Sequence, residues 1–172
     1  AHHLHPQARC VIDIGGQDSK VICLDEDGGV KNFVMNDKCA AGTGKFIEVM
    51  ATRLGADLNE MYELAAKGQP LAISAMCTVF AESEVISHIG SGEKREDIAA
   101  GVIHSVANRV ANLAARFGVE ENIVLTGGLC ESPYFIQTLS DKLEHKVETD
   151  AFARYAGALG AALTAAKRRD LV

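Results

Sequence analysis

The chain has 172 residues, of which 48% are hydrophobic and 23% are charged, a balance typical of a globular domain with one hydrophobic core. Its formal net charge of −6 excludes the basic surface that nucleic-acid binding requires, so we expect no nucleic-acid partner. No uncharged apolar run reaches the roughly 18 residues that a membrane-spanning helix needs, so we expect no membrane partner either.

Three short β-strands are predicted at the start of the chain, over residues 9–15, 19–25 and 30–35. Each segment is rich in Val, Ile or other strand-forming residues, and "DEDGG" between the second and third is a typical tight-turn sequence. Strands joined by connections this short pair with each other, so we expect three antiparallel neighbours.

The middle of the chain changes to the periodicity of α-helices. Apolar residues recur every three or four positions, which predicts helices over 45–54, 58–66, 78–89 and 96–117. Gly118 ends the longest of them. The apolar positions of that longest helix are Ile98, Val102, Val106, Val110, Leu113 and Phe117.

The last third of the chain alternates between strands and helices. Residues 122–128 and 145–149 are predicted strands, and residues 133–143 and 153–167 are predicted helices. Crossover helices make such strands parallel and buried. A three-stranded meander followed by helices and two such units is the order of a ribonuclease-H-like half domain, so we predict an α/β fold of that type.

The five cysteines bear on the compartment in which the protein works. They are Cys10, Cys23, Cys39, Cys77 and Cys130, and no two of them stand in Cys-x-x-Cys spacing. This pattern, without a recognisable export signal, favours a reducing cytoplasm over a disulfide-linked secreted fold. We therefore predict a cytoplasmic protein without structural disulfides.

Two predicted strands end in paired glycines, the first in "DIGGQDSK" and the second in "LTGGLCES". Glycine lets backbone N–H groups approach a phosphate without a Cβ atom in the way. One pair alone usually marks only a tight turn, but two pairs on separate strands favour a nucleotide cleft. Gly15, Gly16, Gly127 and Gly128 are therefore candidate nucleotide-binding residues.

Polar side chains beside the first glycine pair could supply the chemistry of such a cleft. Asp13 could hold Mg²⁺, usually through water, or orient an attacking water. Gln17 could position that water or donate to the terminal phosphate. We predict Asp13 and Gln17 as catalytic residues, with Asp18 and Lys20 as further nucleotide-binding residues.

The segment "MNDKCAAGTGKFIE", residues 35–48, contains Gly-x-Gly-Lys but matches neither standard phosphate-binding motif. A P-loop would need glycine at the position of Cys39 and Ser or Thr at the position of Phe46. The dinucleotide fingerprint would need a third glycine where Ile47 stands. We therefore assign the nucleotide to the glycine pairs and not to this segment.

Cys39 and Cys77 each precede a predicted helix. The N-terminal end of a helix favours thiolate, which is the form that ligates metals. Cysteine is also a common buried residue, so its position alone does not decide between packing and ligation. Two ligands are too few for a closed iron–sulfur or zinc site, although two chains on a twofold axis would supply four.

Five motifs together resemble one family across nearly the whole chain. They are "VIDIGGQDSK", "MNDKCAAGTGKF", "CTVFAESEVISHI", "VLTGGL" and "YAGALGAA". In this order they resemble the ATP-dependent activators of 2-hydroxyacyl-CoA dehydratases. That family is related to the benzoyl-CoA reductase ATPase subunits, and it belongs to the superfamily of acetate kinase, sugar kinases, Hsp70 and actin. The cysteine positions of the family fall on Cys39 and Cys77.

The resemblance implies a homodimer that holds one [4Fe-4S] cluster between its subunits, ligated by Cys39 and Cys77 of each. It implies ATP or ADP, with Mg²⁺, bound with "DIGGQD" at the phosphates and "TGG" near the adenosine. ATP binding and hydrolysis would change the angle between the cluster-bearing helices and pass one electron to a 2-hydroxyacyl-CoA dehydratase. A ferredoxin or flavodoxin would reload the cluster.

The resemblance also implies that the chain corresponds to the C-terminal half of family members. Those proteins begin with another ribonuclease-H-like domain carrying an Asp-x-Gly-Ser/Thr loop, which has no counterpart before Asp13. We therefore expect residues 1–172 to form a single ATPase domain that supplies one wall of the ATP cleft.

Three other functions stay open beside the redox activator. The chain could be the electron-activating ATPase subunit of a benzoyl-CoA reductase. It could be a sugar- or acetate-kinase-like phosphotransferase, since the glycine turns fit that superfamily equally well, although this leaves Cys39 and Cys77 unexplained. It could also be a non-catalytic domain that dimerises through the helices after these cysteines without metal.

Overall fold

The computed structural model describes residues 1–74, 77–118 and 121–169, and it leaves the side chains at 117, 168 and 169 undescribed. The strands of the described residues belong to one mixed sheet. They are β1 (Cys10–Ile14), β2 (Ser19–Leu24), β3 (Val30–Asn36), β4 (Ile123–Gly127) and β5 (Val147–Glu148).

The strand order in the sheet is β3-β2-β1-β4-β5. β1 pairs antiparallel with β2, and β2 pairs antiparallel with β3, as the short connections predict. β4 lies parallel to β1 on its other side, and β5 lies parallel to β4. The predicted mixture of a meander and a parallel pair is therefore confirmed, although β5 is only two residues long.

Six α-helices connect or follow these strands in the described residues. They are α1 (Gly44–Arg53), α2 (Leu58–Ala65), α3 (Thr78–Gly90), α4 (Arg95–Ala114), α5 (Pro133–Leu143) and α6 (Ala156–Arg169). Short 3₁₀ turns extend the end of α4 over Ala115–Phe117 and precede α6 over Ala153–Tyr155. A third 3₁₀ turn, Gly128–Glu131, follows β4 directly.

The main hydrophobic core lies between one face of the sheet and the helices. Ile12 and Ile14 of β1 pack there with Phe46 of α1 and Phe135 of α5. The predicted apolar positions of α4 line this core from Ile98 to Val110, and Leu113 is half-buried. The remaining predicted position, residue 117, has its side chain outside the described part.

The opposite face of the sheet has a smaller cluster of buried residues, Ala8, Val11, Leu24 and Val124. Phe33 on the edge strand β3 is 57% exposed on this face. In α6, the described side chains after Ala156 are half-buried or exposed. Among the described residues, no helix combines the length and the apolar character that crossing a membrane demands.

Candidate nucleotide cleft and cysteine site

Asp13 stands in the middle of a row of polar side chains near the carboxyl end of β1. In register it lies opposite Lys20 of β2 on one side and Thr126 of β4 on the other. Directly opposed residues project from the same face of a sheet, so the three side chains are neighbours. The Thr126 hydroxyl donates to Asp13 Oδ1 at 2.6 Å, and Lys20 Nζ lies 3.6 Å from Asp13 Oδ2. A hydroxyl and a cation therefore orient this carboxylate.

The turn after β1 is closed by its own residues. The Gly15 N–H donates to the Asp18 carbonyl at 2.8 Å. The Asp18 carboxylate accepts a 2.5 Å hydrogen bond from Lys20, and this bond is the main reason that the pKa of Lys20 is raised. The structure thus brings Asp13, Asp18 and Lys20 together, while Gln17 is exposed at the tip of the turn.

The second glycine pair is shaped by close contact between β4 and β1. Gly127 has φ 83° and ψ −174°, a backbone conformation that only glycine adopts readily. A Cβ atom there would lie 2.2 Å from the Ile14 carbonyl oxygen. At Gly128 and Gly16, by contrast, a Cβ atom would meet no other atom within 4 Å. Gly127 therefore serves the fold, while Gly16 and Gly128 face open space.

A cleft of about 490 Å³ lies between the two glycine turns and the first two helices. Three predicted residues, Gly15, Gly16 and Gly128, line it. The other predicted residues of the nucleotide site adjoin these positions along the strands and the turn. They are Asp13, Gln17, Asp18, Lys20 and Gly127.

The first turn of α1 docks directly on the first glycine pair. The Gly44 N–H donates to the Gly15 carbonyl at 3.0 Å, and the Lys45 N–H donates to the Gly16 carbonyl at 2.8 Å. Helix N-termini carry N–H groups without intrahelical partners, and here the glycine turn supplies the acceptors. Gly44 and Lys45 also line the cleft. Segment 35–48, which we assigned to the cysteine site alone, therefore contributes to the cleft as well.

Sequence reasoning missed several other side chains of the cleft. Tyr62 of α2 lines it, and burial, followed by the charge of Glu131, raises the Tyr62 pKa to about 12. Arg154 and Glu131 form a 2.6 Å ion pair at its rim. Single residues on helices and turns carry no motif that would have revealed them. Thr126 could have been found, because it precedes Gly127 in the strand-end motif.

Cys39 lies in the loop between β3 and α1 and is exposed. Cys39 precedes a helix, as predicted, and lies four residues before the helix cap Thr43. Side-chain hydrogen bonds fix the loop between Cys39 and the helix. The Asn36 amide donates to the Cys39 and Ala41 carbonyls, both at 2.9 Å, and the Thr43 hydroxyl donates to the Ala40 carbonyl at 2.6 Å.

Cys77 is the N-cap residue of α3, as predicted, and it is also exposed. Its side chain makes no capping hydrogen bond to the helix, whereas its carbonyl accepts from the Ala81 N–H at 2.9 Å. Val79 and Phe80, two and three residues further on, are 65% and 70% exposed. Cys77 is thus next to an apolar surface. The preceding residues 75 and 76 lie outside the described part.

Helix α1 connects the cleft to the Cys77 helix. Its first turn contacts the glycine turn, and its last residue, Arg53, forms an ion pair with Glu82 of α3. In the described part of the chain, no group of three or more His, Cys, Asp or Glu side chains is placed to hold a metal ion. A site shared between two copies would need only two ligands from each.

This sheet order, with glycine turns at the ends of β1 and β4, is that of the predicted ribonuclease-H-like half domain. The ethanolamine utilization protein EutJ of Carboxydothermus hydrogenoformans shares the fold, with a TM-score of 0.52 at 16% identity. The chain belongs to the BadF/BadG/BcrA/BcrD ATPase family, whose sequence model matches residues 1–165.

Curated relatives extend this family assignment. The chain is 48% identical to the (R)-2-hydroxyglutaryl-CoA dehydratase activating ATPase of Acidaminococcus fermentans, over 98% of this chain and 65% of that protein. It is 46% identical to the 2-hydroxyisocaproyl-CoA dehydratase activator of Clostridioides difficile, over 93% of this chain and 60% of that protein. The chain therefore spans less than two thirds of the length of these relatives.

Solved structures of such activators share the fold in detail. The activator of the 2-hydroxyisocaproyl-CoA dehydratase from Clostridium difficile, with bound ADPNP, superimposes with a TM-score of 0.90 at 44% identity. This match covers 97% of this chain and 64% of that one. Component A of the Acidaminococcus fermentans (R)-2-hydroxyglutaryl-CoA dehydratase superimposes with a TM-score of 0.91 at 48% identity. This match covers 95% of this chain and 63% of that one.

Proposed function

We propose that this chain binds ATP and carries the cysteines of an activator that donates single electrons to a 2-hydroxyacyl-CoA dehydratase. One observation carries the proposal. Gly15 and Gly16, at the nucleotide cleft, accept hydrogen bonds from the first turn of α1, and the segment before that helix contains Cys39. The similarity to named dehydratase activators supports the same function.

ATP or ADP occupies the cleft of about 490 Å³ in this proposal. The open space beside Gly16 lets the phosphates approach the backbone of the first turn. Asp13 would hold Mg²⁺ through water or orient the attacking water, since Thr126 and Lys20 already fix its carboxylate. Gln17, at the exposed tip, positions that water or donates to the terminal phosphate.

The remaining predicted residues have supporting roles. Lys20 and Asp18, joined by a hydrogen bond, set the shape and charge of the phosphate turn. Gly127 keeps β4 close to β1, and Gly128 leaves room for the adenosine. The other wall of the cleft comes from a second ribonuclease-H-like domain, and residues 1–172 act as one domain beside it.

Cys39 and Cys77 fit a shared metal site because both are exposed and each chain offers two thiols. Two copies of the chain would then provide four ligands around a twofold axis. The exposed side chains of Val79 and Phe80, next to Cys77, would be buried in that homodimer. A [4Fe-4S] cluster held there supplies the transferable electron.

The chain itself provides two routes from the nucleotide to the cysteines. A shift of the first glycine turn moves the first turn of α1, which directly follows the Cys39 loop. The same movement reaches the Cys77 helix through the ion pair of Arg53 with Glu82. ATP then acts by changing the population of two arrangements, without donating phosphate to a product.

A ferredoxin or flavodoxin in the cytoplasm reloads the site. Cys39 lines a surface hollow of about 350 Å³ together with Arg109 and Arg116. In a chain with a net charge of −6, this local pair of cations suits the approach of an acidic redox protein.

A second candidate is the equivalent role in aromatic reduction. The chain is 36% identical, over 177 residues, to one of the subunits of the benzoyl-CoA reductase of Thauera aromatica. The higher identity to the dehydratase activators, 46% and 48%, favours the first candidate. Electron transfer assayed against a purified dehydratase and a purified benzoyl-CoA reductase would distinguish the two.

Anaerobic reconstitution with iron and sulfide tests the proposal. We expect about four irons per dimer and a visible absorption band at about 400 nm. Both should be lost in Cys39→Ala and in Cys77→Ala but kept in Cys130→Ala, which removes a buried thiol elsewhere. Iron-free protein that phosphorylates a small acceptor would establish the phosphotransferase instead. Dimerisation that persists in an iron-free Cys39→Ala, Cys77→Ala double variant would favour a structural domain.

A further inference from the structure

Cys10 of β1 and Cys23 of β2 lie directly opposite each other in the antiparallel pair. Opposed residues project from the same face, so the two thiols are cross-strand neighbours. Cys10 is buried and Cys23 is half-buried. Neither residue belongs to the nucleotide cleft or to the proposed metal site.

The hydrogen bonds on either side define the type of this pair. The Leu24 N–H donates to the Arg9 carbonyl, and the Gly15 N–H donates to the Asp18 carbonyl, both at 2.8 Å. Hydrogen-bonded pairs alternate along an antiparallel ladder, which makes Cys10 and Cys23 a non-hydrogen-bonded pair. Cα atoms in such pairs are about 4.5 Å apart. This separation falls within the roughly 4.4–6.8 Å that disulfides span.

The two cysteines line a small surface pocket of about 200 Å³ at the end of the sheet away from the glycine turns. Arg9 and Lys31 line the same pocket and make it cationic. The pocket is too small for a whole cofactor but open to the end of a small reagent. Its charge suits an anionic thiol reagent, of which glutathione disulfide, with four carboxylates and two amines, is the common biological example.

We propose that Cys10 and Cys23 form a reversible cross-strand disulfide by exchange with an anionic low-molecular-weight disulfide. The more accessible Cys23 thiolate attacks one sulfur of the reagent, forms a mixed disulfide and releases one small thiolate. The Cys10 thiolate then attacks the Cys23 sulfur and releases the second. Two electrons pass from the cysteine pair to the reagent, and the two cysteine protons end on the released thiols.

The disulfide would link β1 and β2 covalently at the end of the hairpin opposite the first glycine turn. The strand between Cys10 and Gly15 spans about 16 Å at the usual rise per residue. The disulfide therefore closes a loop without entering the nucleotide cleft. Loop closure in the unfolded chain should raise the midpoint of thermal unfolding by about 8 °C in the oxidised protein.

Peptide mapping of the purified full chain tests the proposal. The anaerobic protein is equilibrated with mixtures of glutathione disulfide and glutathione, blocked with an alkylating reagent, digested without reduction and analysed by mass spectrometry. We expect a linked Cys10–Cys23 peptide that disappears on return to glutathione. In Cys10→Ser we expect a glutathione adduct on Cys23, because the resolving thiol is missing. In Cys23→Ser we expect slow modification of Cys10, because it is buried.

Two outcomes in the wild-type chain would overturn the inference, and neither depends on the folding of a variant. In one, Cys10 and Cys23 stay alkylatable across all mixtures while Cys39 and Cys77 become oxidised. In the other, a Cys23 adduct accumulates without a link to Cys10, which would mean that the two sulfurs cannot reach each other.

Discussion

The candidate nucleotide cleft is lined by glycine turns and by side chains of neighbouring elements, whereas Cys39 and Cys77 are exposed at the protein surface. The cleft depends on contacts between strands and helices of a single chain, such as those of Gly44 and Lys45 with the first glycine turn. The cysteines offer two ligands per chain, which a cluster would need from two chains. In the proposed function, one site is thus specified by folding and the other by assembly.

Substitutions of the second glycine pair separate folding from binding within the cleft. Gly127→Ala should lower the free energy of unfolding by about 3 kcal/mol, because its backbone conformation is nearly exclusive to glycine and its Cβ would strike the Ile14 carbonyl. Gly128→Ala should change it by less than about 0.5 kcal/mol, because its Cβ meets open space, yet it should weaken nucleotide binding. Urea unfolding and calorimetric titration with ATP measure the two effects. Equal stability losses would show that β4 does not need this glycine.

The partly buried phenol of Tyr62 should make the stability of the protein sensitive to alkaline pH. Its pKa rises from 10.0 to about 12 in the folded protein, so the neutral form is favoured by folding. This contribution is fully present below pH 10 and is lost as the pH rises through about 12. Between pH 10 and pH 12, the free energy of unfolding of the wild type, measured with urea, should therefore fall by about 2 kcal/mol more than that of Tyr62→Phe. If the free energy of unfolding depends on pH in the same way in both proteins, the phenol is solvated in the folded state.

The carboxylate of Asp13 should determine how much Mg²⁺ strengthens nucleotide binding. Asp13→Asn keeps the shape that Thr126 holds but removes the charge, so the gain in ATP affinity on adding Mg²⁺ should shrink about tenfold. Asp18→Asn is the matched control, since its carboxylate is paired with Lys20. Titrations with and without Mg²⁺ give the comparison. A loss of equal size in both variants would argue for general electrostatics instead of a metal-binding role.

The smallest expected effect on stability concerns the ion pair between Arg53 of α1 and Glu82 of α3, which lies between the cleft and Cys77. Arg53→Gln should cost only about 0.5 kcal/mol, because both partners are partly exposed. It should nevertheless reduce the effect of ATP on the alkylation rate of Cys77, since it removes an ion pair between α1 and α3. Lys146→Gln breaks a remote exposed pair and serves as the control. If Arg53→Gln leaves the ATP effect unchanged, coupling must run through other contacts.

Much of the fold was predictable because its signals are local. The strands of the meander were placed to within one residue at each end, since alternation and turn sequences act over a few positions. The shortening of β5 and the 3₁₀ turn before α6 were not predictable. Both depend on how the chain leaves the sheet edge and returns to β4, which local periodicity does not encode.

Part of the candidate site, namely the glycine pairs and the two cysteines, could also be identified from the sequence. The contribution of Lys45 and Tyr62 to the cleft was not, because neither belongs to a recognisable phosphate-binding motif. The conformation of the loop that holds Cys39 was not predictable either. The sequence shows a helix following this cysteine, but the hydrogen bonds of the Asn36 and Thr43 side chains, which fix the loop between them, are seen only in the structure.

The sequence by itself determined the order of elements, the turns that need glycine and the supply of two thiols that resemble metal ligands. Only the tertiary structure decided that α1 would rest on the first glycine turn, that Thr126 would hold Asp13, and that Cys10 would face Cys23. The physical reason is that hydrophobic period and turn chemistry act between near neighbours in the chain. Strand register and helix docking depend on packing between segments that are distant in sequence.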